Sequence, residues 1–415
     1  MLLQLCFSAL LLLCCAGSPE TGRLPVVFVY TVVPNVCKKG LPQYIRVSLE
    51  QAVLTQQKSD VIIASNFKEC KVVEDMVNSV SGIGKWDTSL YKSERSIQFL
   101  NVSENMFVID GNSELWMTSA LRFFYLEDMM LYNNYTELFH VEADNLLYGS
   151  IASLLSTLRS SYQGLAATPL TEKGAFITAS VFWISHVNHL IKFNDFLLEL
   201  GSNTNKQWDN YIEWMRPHAG KTAANGNMFI KPFAINEMSM LAYYHAQYPH
   251  ELKLLPVVPN YKKYLVSKHI GNISEWSPDG RFVGGPTGQG IWDPNSWGQF
   301  IGGTSKGGGK NKQFTDPTHI AGQAMRTTSC RPSIECANSS LSSTYHSDIK
   351  TTGSSFRTFG TEMKCYTAIF VRCDEDQEWT LLWNLHVHSK QTENFRSVPC
   401  PCPGSITGGG DNQGE

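Results

Sequence analysis

Two acids, Glu142 and Asp144, follow the mostly apolar segment Leu138 to Val141 with only Ala143 between them. Read as the end of a buried strand, that spacing puts both carboxylates on one side of the chain. Such a pair suits a divalent cation carrying phosphates. Mg²⁺ and Mn²⁺ take hard oxygen ligands, usually one or two protein carboxylates, with phosphate and water completing the shell. The same residues could instead form a solvated turn, or a helix N-terminus with Asp144 capping a helix that opens at Asn145. A second group lies in WTLLWNLHVHSK, Trp379 to Lys390. From Trp383 to Ser389 apolar and polar residues alternate, which is the period of a half-buried strand and places Asn384, His386 and His388 on one face. That face either meets solvent or gives an imidazole to a metal, since imidazole suits Mn²⁺. Lys390, just past the strand, would then be a phosphate-binding charge. No H-E-x-x-H spacing occurs, so a zinc site of that type is excluded.

The elements that must hold these groups are readable upstream. Pro25 to Thr31 is a short buried strand, Pro42 opens a helix with Ile45, Leu49 and Val53 on one face, and Asp60 to Ser65 is a second strand. Strand, helix, strand predicts a parallel βαβ unit and an α/β sheet. No G-x-G-x-x-G or Walker loop follows the first strand, which disfavours a dinucleotide fold or a P-loop NTPase. A helix beginning near Arg122 leads into the acidic pair, and another carries Ile151, Leu154, Leu155 and Leu158 on one stripe. Ala175 to Ile184 reads as a buried strand, with a helix running on to Leu200. Ala234 to Tyr248 is a helix with Asn236 and Glu237 in its first turn, and Leu252 to Val258 is an edge strand because it contains Pro256. Residues 284 to 310 are Gly-rich and are expected to hold no regular element; the stretch from Gly404 reads as a disordered tail (404–415).

Composition sets the compartment. At 415 residues and 42% apolar content the chain can bury one large core or two smaller ones. A net charge of −3 gives no basic field for nucleic acid. Residues 1–17 are an apolar run ending in small residues, with cleavage expected just after Ala16 or Gly17, as in a secretory signal peptide. No other segment approaches a membrane span, so none is expected after cleavage. Eight of the 11 cysteines lie beyond that signal: Cys37, Cys70, Cys330, Cys336, Cys365, Cys373, Cys400 and Cys402. An even number in a secreted chain predicts disulfides, with Cys37 to Cys70 able to pin the first βαβ unit. Sequons at Asn101, Asn134, Asn272 and Asn338 predict N-glycosylation in the same compartment.

The order of these features resembles a GT-A-fold glycosyltransferase: a first βαβ unit, a strand ending in acid-x-acid, the AFITAS strand, NE at a helix start, and a late NLHVHSK. The resemblance implies an α/β fold, a mixed and mostly parallel sheet flanked by helices, with a Gly-rich, cysteine-bearing C-terminal region. Within a catalytic domain over 24–400, residues 24–149 would form the nucleotide-sugar-binding half and 150–400 the acceptor half. Glu142 and Asp144 would hold Mn²⁺ or Mg²⁺ on the donor diphosphate, with His386 or His388 as a further ligand. Thr31, Arg122, Asn145 and Lys390 would serve the donor. Glu237, with Asn236, stands where an acidic base or acceptor-binding residue belongs, although Glu237 could merely favour the helix dipole. In Gly284 to Thr304, Trp292 and Trp297 could stack on sugars while Asp293 and Gln299 bond hydroxyls; otherwise the loop is packed by its own tryptophans. The expected activity is transfer of a sugar from a nucleotide-sugar to a glycan or glycoconjugate, in the Golgi or ER lumen or after secretion. Two other classes stay open: a transferase-fold carbohydrate-binding protein without turnover, and a secreted metal-dependent hydrolase.

Overall fold

A computed structural model describes residues 22–31, 37, 42–107, 113–171, 174–218, 235–259, 290–302, 319–327, 330–338, 365–372, 379–387 and 390–400. The signal peptide expected at 1–17, the tail, His388, Cys373, Cys402 and Asn272 lie outside these residues.

The expected βαβ unit is present. Strand β1 (Leu24–Val29) leads through helix α1 (Gln43–Thr55) to β2 (Ser59–Ser65), and the two strands pair in parallel. The chain continues outward through α2 (Lys71–Asn78) to β3 (Gly84–Asp87). Helices α3 (Glu94–Met106) and α4 (Ser113–Asn133) then carry it back to β4 (Leu138–Glu142), on the other side of β1. Next come β5 (Asn145–Leu147), α5 (Leu155–Ser161), β6 (Leu165–Pro169) and β7 (Ile177–Ile184). Helices α6 (Val187–Ser202), α7 (Gln207–Met215) and α8 (Glu237–Gln247) precede β8 (Leu252–Leu254).

Seven of these strands form one sheet in the order β3-β2-β1-β4-β7-β6-β8. Only the two pairings made by β7 are antiparallel, so the sheet is mixed and mostly parallel, as expected. Strand alternation sorts the core onto its two faces. Val26, Phe28, Phe139, Val141 and Trp183 join α1 and residues of the C-terminal region. Val27, Leu138, Phe182 and Ile184 join the aromatic side chains of α3, α4, α6 and α8. Strand β8 lies at the sheet edge but stops before Pro256, which has no N–H to donate.

The C-terminal region adds α9 (Ser296–Gly302), α10 (Ile320–Thr327), β9 (Arg331–Asn338), β10 (Cys365–Arg372), β11 (Trp379–Leu381), β12 (Asn384–His386) and β13 (Pro399–Cys400). A second sheet is antiparallel, with β10 paired to β9, β11 and β13. Helix α9 corrects the expectation that the Gly-rich stretch holds no regular element: the buried Asp293 carboxylate accepts the α9 amides of Trp297 and Gly298 at 3.0 and 2.9 Å. Likewise Asn145 opens a strand, not a helix. No helix among the described residues is long and apolar enough to cross a membrane.

Candidate active site

The acidic pair stands where the sheet changes direction. From β1 the chain first builds outward through β2 and β3, then returns to place β4 on the opposite flank. The carboxyl ends of β1 and β4 therefore border a switch-point crevice, where open α/β sheets bind ligands. Glu142, the last residue of β4, is in register with Val29 of β1. Thr31 lies just past β1, partly buried at the same crevice.

A two-stranded ladder brings the late histidine to the acids. β5 and β12 pair antiparallel with Asn145 opposite His386, and the Val387 N–H donates to the Asp144 carbonyl at 3.0 Å. His386 Nε2 then lies 3.0 Å from Asp144 Oδ2, and its Nδ1 lies 3.7 Å from Glu142 Oε2. One ligand atom from each of Glu142, Asp144 and His386 falls within 4.8 Å of the others. Two carboxylates and an imidazole form a donor set suited to Mn²⁺, and the residues fit a metal on that chemistry.

The protein's own cations also sit here. Lys390 makes an ion pair with Asp144, and its ammonium is 5.2 Å from the centroid of the Tyr44 ring. Its backbone is left-handed, φ 62°, an unusual conformation for a lysine that costs about 1–2 kcal/mol. Burial alone would push the Asp144 carboxyl up; His386 and Lys390 outweigh it and hold Asp144 far below the usual carboxylate range. For His386 burial acts downward, but Asp144 and Glu142 prevail and raise its pKa. A metal and a proton therefore compete for this ring.

Behind the acids lies Arg122, buried on α4. Its Nη1 pairs with Glu142 and its Nη2 lies 3.4 Å from Glu237 Oε1. Arg122 was expected to touch the donor; instead its guanidinium is spent on two carboxylates and has little surface to offer. Asn236 is the N-cap of α8 in a reciprocal capping box with Ser239, which accounts for its place in the sequence without a catalytic role. Glu237, next along, does more than favour the helix dipole. Burial pushes its pKa up to about 7 against the pull of Arg122, and its Oε2 has no hydrogen-bond partner among the described residues.

Most of the expected sugar platform is packed away. Trp292 and Trp297 are fully buried, Trp292 against Phe139 and Trp383, while Trp297 Nε1 donates to the Val257 carbonyl at 2.9 Å. The self-packed reading of this loop is the one the structure adopts. Asp293 is also buried, and its carboxylate accepts the His386 N–H at 3.0 Å besides the two α9 amides. Gln299 is partly buried on α9. Asn145 is buried too, its Oδ1 accepting from Asn384 Nδ2 at 2.6 Å, so it ties β5 to β12 and does not face a donor. Sequence reasoning missed this Asn145–Asn384–Asp293 lattice and also Tyr44, for which only a place after the helix-opening Pro42 was visible.

Cys37 and Cys70 form a disulfide with a Cα separation of 5.5 Å, and Cys330 is also disulfide-bonded. Cys336, Cys365 and Cys400 fall on β9, β10 and β13, and Cys365 is in register with Cys400. Asn101 and Asn134 are exposed on or beside helices, and Asn338 ends β9.

No protein-family model matches the sequence, and no curated protein matches it. Solved structures do. Mouse xyloside xylosyltransferase 1 in its apo form is 9% identical, covering 56% of this chain and 85% of its own, with a TM-score of 0.38. The PaToxG glycosyltransferase is 12% identical over 54% of this chain and 69% of its own, TM-score 0.32. A cytidylyltransferase from Leptospira borgpetersenii is 11% identical over 45% and 73%, TM-score 0.27.

Proposed function

We propose that this protein is a glycosyltransferase of the secretory pathway that moves a sugar from a nucleotide-sugar donor to a hydroxyl of a glycan or glycoconjugate. The reading rests on one observation: Glu142, Asp144 and His386 converge at the carboxyl ends of β1 and β4, with the Lys390 ammonium on the same carboxylate. Glu142, Asp144 and His386 would hold Mn²⁺ or Mg²⁺, which when bound supplies positive charge to the donor diphosphate. Lys390 does the same from the protein side. Departure of a nucleoside diphosphate builds negative charge on its terminal phosphate, and a cation fixed there stabilises the transition state more than the ground state. In a direct displacement the acceptor oxygen bonds to the anomeric carbon as the bond to the diphosphate breaks. Glu237 takes the acceptor proton, since a carboxyl with a pKa near 7 is half ionised at neutral pH.

The test is release of nucleoside diphosphate from a panel of nucleotide-sugars, with Mn²⁺, with Mg²⁺ and with chelator. Asp144→Ala should abolish metal-dependent donor binding in a folded protein. Sugar binding without turnover would select a binding protein, hydrolysis of a phosphate ester would select a hydrolase, and failure to bind any donor would end the proposal. A second reading has its own support: Asp144 and Glu142 each already hold a protein cation, so the same transfer could run without a metal, on Lys390. Mn²⁺ titration followed by electron paramagnetic resonance separates the two.

A further inference from the structure

The end of α4 and the turn after β3 carry apolar surface that the described residues leave uncovered. Tyr132 is 59% exposed, Leu131 49%, and Leu90 54%. Yet Tyr132 is not loose. Its ring centroid lies 4.3 Å from that of Tyr91 and 5.1 Å from that of Trp86, and those two rings are stacked 4.3 Å apart. Tyr132 is therefore held against two rings while more than half of it stays exposed, a rigid amphipathic surface that costs little entropy to use. Trp86 belongs to β3, the last strand on that side of the seven-stranded sheet, so the cluster also flanks that edge.

Two residues beyond Tyr132 stands Asn134, exposed and left-handed with φ 55°. It closes α4, with the Tyr135 N–H donating to the Met130 carbonyl at 2.9 Å. Asn134, Tyr135 and Thr136 make an N-x-T sequon on this turn. Residues two apart have Cα atoms within about 7 Å.

We propose that Asn134 is N-glycosylated and that its first N-acetylglucosamine packs on the exposed surface of the Tyr132 ring, so that the glycan covers the aromatic cluster beside β3. The Asn134 amide nitrogen bonds to the anomeric carbon of a lipid-diphosphate-linked oligosaccharide, the bond to the diphosphate breaks, and the amide gives up a proton. A pyranose presents C–H groups on one face, and the negative face of a tyrosine ring attracts them. The inference needs secretory entry and is independent of the transfer reaction.

The full chain is expressed through the secretory pathway of a eukaryotic cell in four forms: unchanged, Thr136→Ala, Tyr132→Ala and both. Glycopeptide mass should place a glycan on Asn134 in the two forms that keep Thr136. Thr136→Ala removes the sequon without touching the left-handed residue. It should lower Tm by about 2 °C when Tyr132 is present and by much less in the Tyr132→Ala background. An unmodified Asn134, or an equal shift in both backgrounds, overturns the proposal.

Discussion

Replacing Asp293 with asparagine tests how the site is held. The wild-type carboxylate accepts the Trp297 N–H on Oδ1 at 3.0 Å, and the Gly298 and His386 N–H groups on Oδ2 at 2.9 and 3.0 Å. All of this is buried. An asparagine offers one oxygen and one NH₂. If its oxygen serves the two donors on Oδ2, the Trp297 N–H faces another donor; the opposite flip strands two amides. The better choice leaves one buried N–H unsatisfied, about 1–3 kcal/mol, and weakens the remaining bonds by removing the charge. Asp293→Asn should therefore lose about 2–4 kcal/mol. Asp293→Ala, which strands all three amides, should lose more. The same change loosens β12 where it presents His386, so Mn²⁺ affinity should fall with stability. Urea unfolding followed by tryptophan fluorescence is the assay, since Trp292, Trp297 and Trp383 surround the substitution. An Asp293→Asn protein within 1 kcal/mol of wild type, with the same Mn²⁺ affinity, would refute the reasoning.

Four other expectations follow from the structure. Burial keeps Glu237 protonated in the folded protein up to about pH 7, against 4.5 as its ordinary value, so the folded state holds the extra proton between them. Stability contributed by this group is full below pH 4.5 and falls by about 3 kcal/mol as pH rises through 7, and Glu237→Gln should remove that slope in unfolding measured from pH 4 to 8. The same variant should cut kcat by about 10²–10⁴ with donor affinity little changed. Lys390→Ala should weaken nucleoside diphosphate binding by tenfold or more, the size of about one charge-assisted hydrogen bond, as read by calorimetry. Cys70→Ser opens a loop spanning a sequence separation of 33 and should cost about 3–4 kcal/mol in urea unfolding under non-reducing conditions.

The parts of this fold legible in the sequence are those written in local pattern. β1 is an uninterrupted apolar run, β4 and β7 are apolar apart from His140, Glu142, Thr178 and Ser180, and α1 shows its buried stripe at helical spacing. β3 (GKWD) and β6 (LAATP) were not legible, being short and built partly of small or polar residues with no clear period. The acid pair and the late histidine were each visible, but their meeting depends on the β5–β12 ladder, which no local pattern encodes. Arg122 shows the limit most clearly. Its two partners lie 20 and 115 residues away, so a buried bridge and a donor contact look the same in one dimension. Trp292 and Trp297 sit in a glycine-rich stretch that would suit either a sugar platform or a self-packed loop, and burial alone decided between them.

The separation of 242 residues between Asp144 and His386 also gives the site a birth order. At about 5–20 residues per second, a ribosome that has finished Asp144 needs roughly 10–50 s more to make His386. Through that interval β4 can already be in its sheet, while β5 lacks its partner strand and Asp144 lacks both of its cations. An acid in that position cannot be buried cheaply, so Asp144 stays in water until His386 and Lys390 arrive. The last segment to emerge is thus the one that seals the crevice. A chain interrupted before it would keep much of the large sheet and the Arg122 pair on Glu142, yet leave Asp144 exposed with neither of its cations.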